Sequence, residues 1–439
     1  MMESNIPTQQ AMRGGATEEE FQWAMERFRR MWDEISLIGL RSDGGYDRSS
    51  WTVTYEELKG WFITQAQARG MRVEEDGNGN LWAWLGEHHD GLAFATGSHL
   101  DSVPAGGGYD GPLGIAAAFI ALDVLEIRGA LPCRPIVIVG FVEEEGGRFG
   151  FPCLGSRLAT GKVEPSKVLE LRDRNGIVLK DVVEKRDGDS YALSATPEIL
   201  SRIGIFCELH IEQGVALAPL GQPVGVAEFI WPHARWRLTF DGEGNHAGTT
   251  LMADRHDPMI ALAETILAAQ EEAHGVGIAT IGRIEASPNA TNAICSSVNV
   301  WLDARAPSDN KLDELWSAVL DRSYAAAAAI GVNLTFTMES RSPEVRFDKT
   351  FSSKVISIGD DLGLQIPLLS TAAGHDAGIL ADVIPTTMIF VRNESGVSHS
   401  PKEIAEDADC VIGAIVLAKT ISESEMPNLN NQTKGRPNE

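Results

Sequence analysis

Histidines standing beside carboxylates at the ends of apolar runs mark four segments of this chain. The first is GSHLDSVPAGGGYDG, residues 97–111, in which His99 and Asp101 follow a buried-looking run and Asp110 sits in a glycine-rich loop before a helical pattern. Imidazole nitrogen and carboxylate oxygen together are a donor set for divalent ions such as Zn²⁺ and Mn²⁺. Asp101, so close to His99, suits a carboxylate that fixes the imidazole ring and raises its basicity. A capped turn with a satisfied histidine explains this segment equally well when it is taken alone. The second segment, FVEEEGGRFG (141–150), ends an apolar run with three consecutive glutamates. Burying uncompensated carboxylates costs several kcal/mol per ion, so a cation is expected nearby. Adjacent carboxylates there can divide the work, one ligating metal and the other serving water as general base. The third is ELHIEQG (208–214), with His210 on an apolar run followed by Glu212 and Gln213, and the fourth is GVSHSP (396–401), with His399 in a loop.

The elements that must position these groups alternate. Thr17–Glu20 and Thr54–Glu57 are T-x-x-E capping boxes, predicting helices from about 18 and 55. Strands are predicted at 71–74, 81–85, 92–97 and 135–142, with a helix over 112–125. The last strand is continuously apolar, as for a strand buried on both faces. This order points to an α/β sheet, whose ligands lie beyond the carboxyl ends of its strands. From about 227 to 345 the pattern restarts. Strands at 235–240, 278–284, 297–304 and 332–338 join helices at 257–274 and 312–330 in a compact α+β unit. A third section resembles the first, with helices from 352, after Asp376 and over 403–422, and a strand at 386–391. The expected architecture is thus an α/β domain with a mixed sheet and flanking helices (18–226 plus 346–423), interrupted by an inserted α+β domain (227–345). Polar residues 1–17 and 424–439 read as tails.

Composition narrows the function classes. With 37 Lys+Arg against 62 Asp+Glu the chain of 439 residues carries a formal charge of −25, which disfavours nucleic acid as a partner. No apolar run approaches the ~20 residues of a membrane span, and the amino-terminal residues show no secretory signal. Five scattered cysteines without a CxxC pair predict reduced, buried thiols and a cytoplasmic protein.

Taken in order, GSHLDSV, GGGYDG, EEEGGRFG, ELHIEQG, GEGNHAGTT, GHDAG and GVSHSP resemble the carbamoylase branch of the M20 metallopeptidase superfamily, over about residues 20–422. That branch contains N-carbamoyl-L-amino-acid hydrolases, β-ureidopropionases and allantoate amidohydrolases. The resemblance implies two divalent ions per subunit, a lid formed by the inserted domain, and a homodimer made through that lid. Residue by residue it makes His99, Asp110, Glu145, His210 and His399 the metal ligands, Asp110 bridging both ions. Glu144 becomes the general base, with Asp101 beside it in the catalytic set. His246 becomes the group that stabilises the oxyanion across the dimer. Asn292 and Arg305 match the pair that holds the substrate carboxylate, and Gln213 is counted with the substrate-binding residues. Where family members often carry Gln before the first lid strand, this chain has His233.

The implied reaction is hydrolysis of a ureido C–N bond in a small-molecule acid, either an N-carbamoyl-L-amino acid or an allantoate-type substrate, releasing ammonia. An M20-type aminopeptidase or N-acyl amino acid deacylase is the alternative within the superfamily, and a catalytically inactive metal-binding protein the alternative outside it. Filled catalytic positions argue against the last. His and carboxylate donors suit Mn²⁺, Zn²⁺, Co²⁺ and Ni²⁺ alike, so metal identity stays open.

Overall fold

The computed structural model describes residues 15–87, 91–187 and 192–425. Of the expected tails, residues 1–14 and 426–439 lie outside the described residues, whereas Ala16 and Ser424 are buried. The chain divides into two compact units, one formed by Phe229–Val345 and the other by the residues on either side.

The larger unit is built on a mixed sheet. Seven of its strands run in the spatial order Arg72–Glu75, Leu81–Leu85, Ile136–Phe141, Ala93–His99, Ile203–Ile211, Thr386–Val391 and Val224–Ile230. The four central ones, from Ile136–Phe141 to Thr386–Val391, are mutually parallel, and the strands flanking them are antiparallel. All four are buried along their length, which is why Ile136–Phe141 reads as an unbroken apolar run. Chain order reverses beside Ala93–His99: the chain goes first to Ile136–Phe141 on one side, then to Ile203–Ile211 on the other. A ligand crevice is expected where the order reverses; there His99 ends Ala93–His99, and His210 is the penultimate residue of its neighbour Ile203–Ile211.

Helix Pro112–Ile127 is apolar on nearly every side and buried from Pro112 to Leu125. It packs against the sheet and against helix Asp407–Glu423. Gly111 starts it at φ 86°, and a Cβ there would stand 2.5 Å from the His99 ring. Only glycine lets the loop turn in this conformation so close to the imidazole.

Three local expectations are corrected. Helix Val53–Ala68 is capped by Thr52, whose side chain accepts from the Tyr55 amide; Thr54 lies inside its first turn. Only Thr54 fits the T-x-x-E pattern, since Tyr55 stands three residues after Thr52, and burial of Tyr55, Leu58 and Phe62 selects the register instead. The last helix starts at Asp407 and not at 403, because Glu403 is turned inward. The thiols are all free, but only Cys153, Cys207 and Cys410 are buried; Cys133 is exposed and Cys295 half-buried. Among the elements the pattern leaves unassigned are strand Val224–Ile230 and four short helices between Leu154 and Leu200. Helices of one or two turns cannot display a period.

The smaller unit has a fully antiparallel four-stranded sheet in the order Asn333–Ser342, His233–Asp241, Ser297–Arg305, Ile278–Ser287. Helices Pro258–Ala273 and Asp309–Ala329 share an apolar core with the inward residues of its central strands, such as Trp236, Leu238, Val300 and Leu302. Trp236 stacks on Trp316 of the second helix at 4.3 Å. A short ribbon pairs Asn245–His246 with Ala293–Ile294. Among the described residues of the whole chain, no helix is long and apolar enough to cross a membrane.

Candidate metal centre

Eight of the residues singled out in the sequence meet at the carboxyl ends of the parallel strands: His99, Asp101, Asp110, Glu144, Glu145, His210, Gln213 and His399. Asp110 is at the middle. Its Oδ1 faces His210 Nε2 at 3.1 Å and His99 Nε2 at 3.6 Å. Its Oδ2 faces His399 Nε2 at 3.4 Å, and His399 Nε2 in turn lies 3.3 Å from Glu145 Oε2. The carboxylate is thus shared by two clusters, His99–Asp110–His210 and Asp110–Glu145–His399, each compact enough to hold one ion.

The rings are oriented for ligation. His99 Nδ1 bonds the Asp101 main-chain carbonyl at 3.1 Å and His210 Nδ1 bonds the Ile211 carbonyl at 2.8 Å. A proton held on Nδ1 by a carbonyl leaves the Nε2 lone pair free for a cation. Both Nε2 atoms, together with Glu145 Oε1, are buried without a hydrogen-bond partner. Orphaned buried polar atoms are costly, and these converge on one place; the donor set fits a pair of divalent ions.

The electrostatics agree. Burial opposes charge on His99, yet Glu144, Asp110 and Asp101 outweigh it and raise that imidazole well above its ordinary value. Asp110 and Glu145 push His399 up to about 11. Burial works against ionising Asp110, but His210, His399 and His99 hold it well below the usual carboxylate range. Protons sit here where cations are favoured.

Asp101 orients His99 through its main-chain carbonyl and not through its carboxylate. The carboxylate accepts instead from the Glu144 and Glu145 amides, each at 3.2 Å, and so shapes the turn carrying both. The three glutamates also differ from the sequence expectation. Glu143, at φ 55°, points its Oε1 to the amides of Arg148 and Phe149 at 3.0 and 2.7 Å. Burial disfavours its charge, opposed by these main-chain dipoles, by Ser50 and by the Arg148 guanidinium. Glu144 lies with Oε2 3.8 Å from His99 Nε2 and Oε1 3.3 Å from the Cys153 thiol. Burial, only partly opposed by His99, raises its carboxyl well above 4.5. Gln213 places Nε2 2.8 Å from Asp110 Oδ2 and 3.3 Å from His399 Nε2, directly against the candidate ligands.

The remaining candidates occupy the smaller unit and fall into two pairs. His233 and Arg305 are opposite one another on neighbouring strands. His246 pairs with Ala293, next to Asn292, whose carbonyl accepts from the Ala247 amide at 3.1 Å. The nine residues of Ser297–Arg305 separate the pairs, roughly 26 Å at about 3.3 Å per residue. Asn292 and Arg305, expected to hold one carboxylate together, are thus at opposite ends of the unit. The His246 Nδ1 accepts from the Gly248 amide at 3.0 Å, which puts the proton of the neutral ring on Nε2, facing outward as a donor.

Four buried residues of the cluster were not singled out in the sequence. Glu208 accepts from Ser98 Oγ at 2.7 Å and from the Ala377 amide at 2.9 Å. His375 packs edge-on to His210 at 4.5 Å, and burial beside His210 keeps it neutral. Asp376 accepts from Ser156 Oγ at 2.5 Å. Glu403 accepts from the Tyr109 and Asp110 amides and from Ser398 Oγ. His375 and Asp376 lie in GHDAG, a motif visible in the sequence without an assigned role. Glu208 groups with His210 and His375 as a third compact set, but both its oxygens are already engaged.

A family profile, Peptidase family M20/M25/M40, matches residues 95–423. The chain is 34% identical over 402 residues to an N-carbamoyl-L-amino acid amidohydrolase of Geobacillus stearothermophilus, covering 89% of this chain and 97% of that one. It is 30% identical over 390 residues to an allantoate amidohydrolase of Escherichia coli strain K12, covering 88% and 94%. The crystal structure of an amidase of the hydantoinase/carbamoylase family from Burkholderia vietnamiensis superposes with a TM-score of 0.79 at 29% identity, over 90% of this chain and 96% of that one.

Proposed function

The chain belongs to peptidase family M20/M25/M40, and we propose that it is a metal-dependent amidohydrolase that cleaves the ureido C–N bond of an N-carbamoyl-L-amino acid or an allantoate-type acid. The observation that carries this reading is the division of Asp110 between two histidine-containing clusters. One ion would be held by His99, Asp110 and His210, the other by Asp110, Glu145 and His399. When bound, such a pair polarises the ureido carbonyl and makes water a nucleophile near neutral pH.

The protein groups then have distinct tasks. Glu144, buried and made basic by its surroundings, takes the proton of the attacking water and returns it to the leaving nitrogen. His246, with Nε2–H outward, donates to the developing oxyanion, a contact typically worth about 3–4 kcal/mol. Arg305 grips the substrate carboxylate through its guanidinium fork, with His233 beside it. Because His246 and Asn292 are remote from Arg305 within one chain, the reading assigns them to the partner's substrate in a homodimer. An N-carbamoyl amino acid would yield ammonia, carbon dioxide and the amino acid.

A panel on metal-reconstituted protein tests this: N-carbamoyl-L-amino acids, allantoate, N-acyl amino acids and dipeptides, with ammonia as one readout. Ammonia from a ureido acid is the expected result. Turnover confined to dipeptides or N-acyl substrates would replace the proposal, and full metal content without any turnover would make the chain a binding protein.

A further inference from the structure

We infer that Glu403 is a positioning residue that sets Asp110 and His399 against one another and thereby gauges the separation of the two metal positions. Its side chain is almost wholly buried, at 6% exposure. Oε1 accepts from the main-chain amides of both Tyr109 and Asp110 at 3.0 Å. Oε2 accepts from Ser398 Oγ at 2.8 Å, and the Glu403 amide closes the turn after His399 by donating to the Ser400 carbonyl at 3.0 Å. A single carboxylate therefore ties the GGGYDG loop to the GVSHSP loop, almost 300 residues away in sequence. Ser398 Oγ also lies 3.3 Å from Asp110 Oδ2, so the linkage closes on the shared carboxylate itself.

The loop is shaped to admit this group. A Cβ on Gly107 would stand 2.2 Å from Glu403 Oε1. Among the described residues no Lys or Arg is paired with Glu403; its donors are the two loops. Taking a carboxylate out of water to meet two amides and a hydroxyl is a costly way to close a surface turn. Fixing two ligand-bearing loops at a set distance is a task where groups behind the ligands typically matter roughly 10–100-fold in metal affinity or activity.

The inference rests on the metal-centre reading above, and the experiment separates the two. Zn²⁺ affinity is measured by competition with a chromophoric chelator for wild type, Glu403→Ala, Glu403→Gln, Gly107→Ala and Asp110→Asn, with thermal unfolding of each metal-free chain. Glu403→Ala should bind Zn²⁺ roughly 10–100-fold more weakly while still unfolding cooperatively. Glu403→Gln should recover most of that loss, since its amide oxygen serves the two main-chain amides and the Ser398 hydroxyl can rotate to accept. Gly107→Ala should reproduce the loss by displacing an intact carboxylate, and it decides the matter if Glu403→Ala does not fold. Wild-type affinity in Glu403→Ala or in Gly107→Ala, or equal loss in the Gln and Ala variants, overturns the inference. Loss in Asp110→Asn with retention in Glu403→Ala defeats only this role of Glu403. Retention in Asp110→Asn defeats the metal-centre reading itself.

Discussion

Arg305 and His233 face each other across two antiparallel strands of the smaller unit, as direct cross-strand partners. Cross-strand partners have Cβ atoms about 4.5–5.5 Å apart, close enough to act on one ligand group. Arg305 also donates through Nε to Asp303 at 3.0 Å, and Asp303 is held from its other side by Arg235 at 2.8 Å. Burial disfavours charge on Asp303, but the two guanidinium groups hold its carboxyl below the usual range. The ion pair anchors one side of the guanidinium and so aims it.

From this follows the first prediction. Arg305→Lys should raise KM for a carboxylated substrate by roughly 10–100-fold, because a bidentate contact is lost while the charge remains. Metal content should not change. His233→Gln should alter preference among ureido acids more than total activity. Unchanged kcat/KM for Arg305→Lys on every carboxylated substrate would end the clamp assignment.

Glu144→Gln should keep its metal and lose roughly 10²–10⁴ in kcat, the range of a positioned general base. The amide is isosteric and cannot accept the proton. Elemental analysis beside steady-state rates checks both halves, and near wild-type kcat would remove Glu144 from that role.

Ala substitution at His99, Asp110, Glu145, His210 or His399 should each lower bound metal. Loading the metal-free protein near pH 7 should also release protons. The sign follows from the raised imidazoles: His99 and His399 carry protons there when metal-free, and ligation requires the neutral ring. Affinity should therefore fall as pH is lowered. Calorimetric titrations in buffers of different ionisation enthalpy measure the release, and an absence of it would contradict the assigned ligands.

If each site takes His246 from a second copy, two inactive variants should rescue one another. Mixing His246→Ala with Glu144→Gln, after dissociation and reassociation, should restore ammonia release that neither has alone. One site of the mixed dimer then holds an intact Glu144 and an intact His246. No restoration despite mixed dimers, or an active 47 kDa monomer by light scattering, would place His246 in its own chain's site.

Gly111→Ala should weaken metal binding although Gly111 is no ligand. Its φ of 86° and the 2.5 Å approach of an added Cβ to the His99 ring leave no place for a methyl group. The expected cost is of order 1–3 kcal/mol, shared between backbone strain and ring displacement. Metal affinity equal to wild type would mean that the loop yields without moving His99.

Much of this protein was legible in its residue order. Strands such as 136–141 and 386–391 are buried on both faces, so their apolar runs stand out from any neighbour. Metal ligation demands His and carboxylates at strand ends, and these residue types are rare enough beside apolar runs to mark themselves. The short helices between residues 154 and 200 left no such trace, since one or two turns show no period. Glu403 reads in sequence as one more acid at the start of a helix.

What the sequence by itself determined is chemistry: which side chains carry donor atoms suited to a divalent ion, and where along the chain they stand. Tertiary structure alone decided partnership. It set the distances around Asp110, whose two oxygens meet His210 and His399 from segments brought together by the parallel strand order. It turned Glu143 away from the cluster, because the amides of Arg148 and Phe149 satisfy it there. It also set Asn292 apart from Arg305, a separation fixed by an antiparallel register that residue types do not encode. Ligand identity is a property of single residues, whereas distance between ligands depends on how remote segments pack, and that is settled only when the whole core forms.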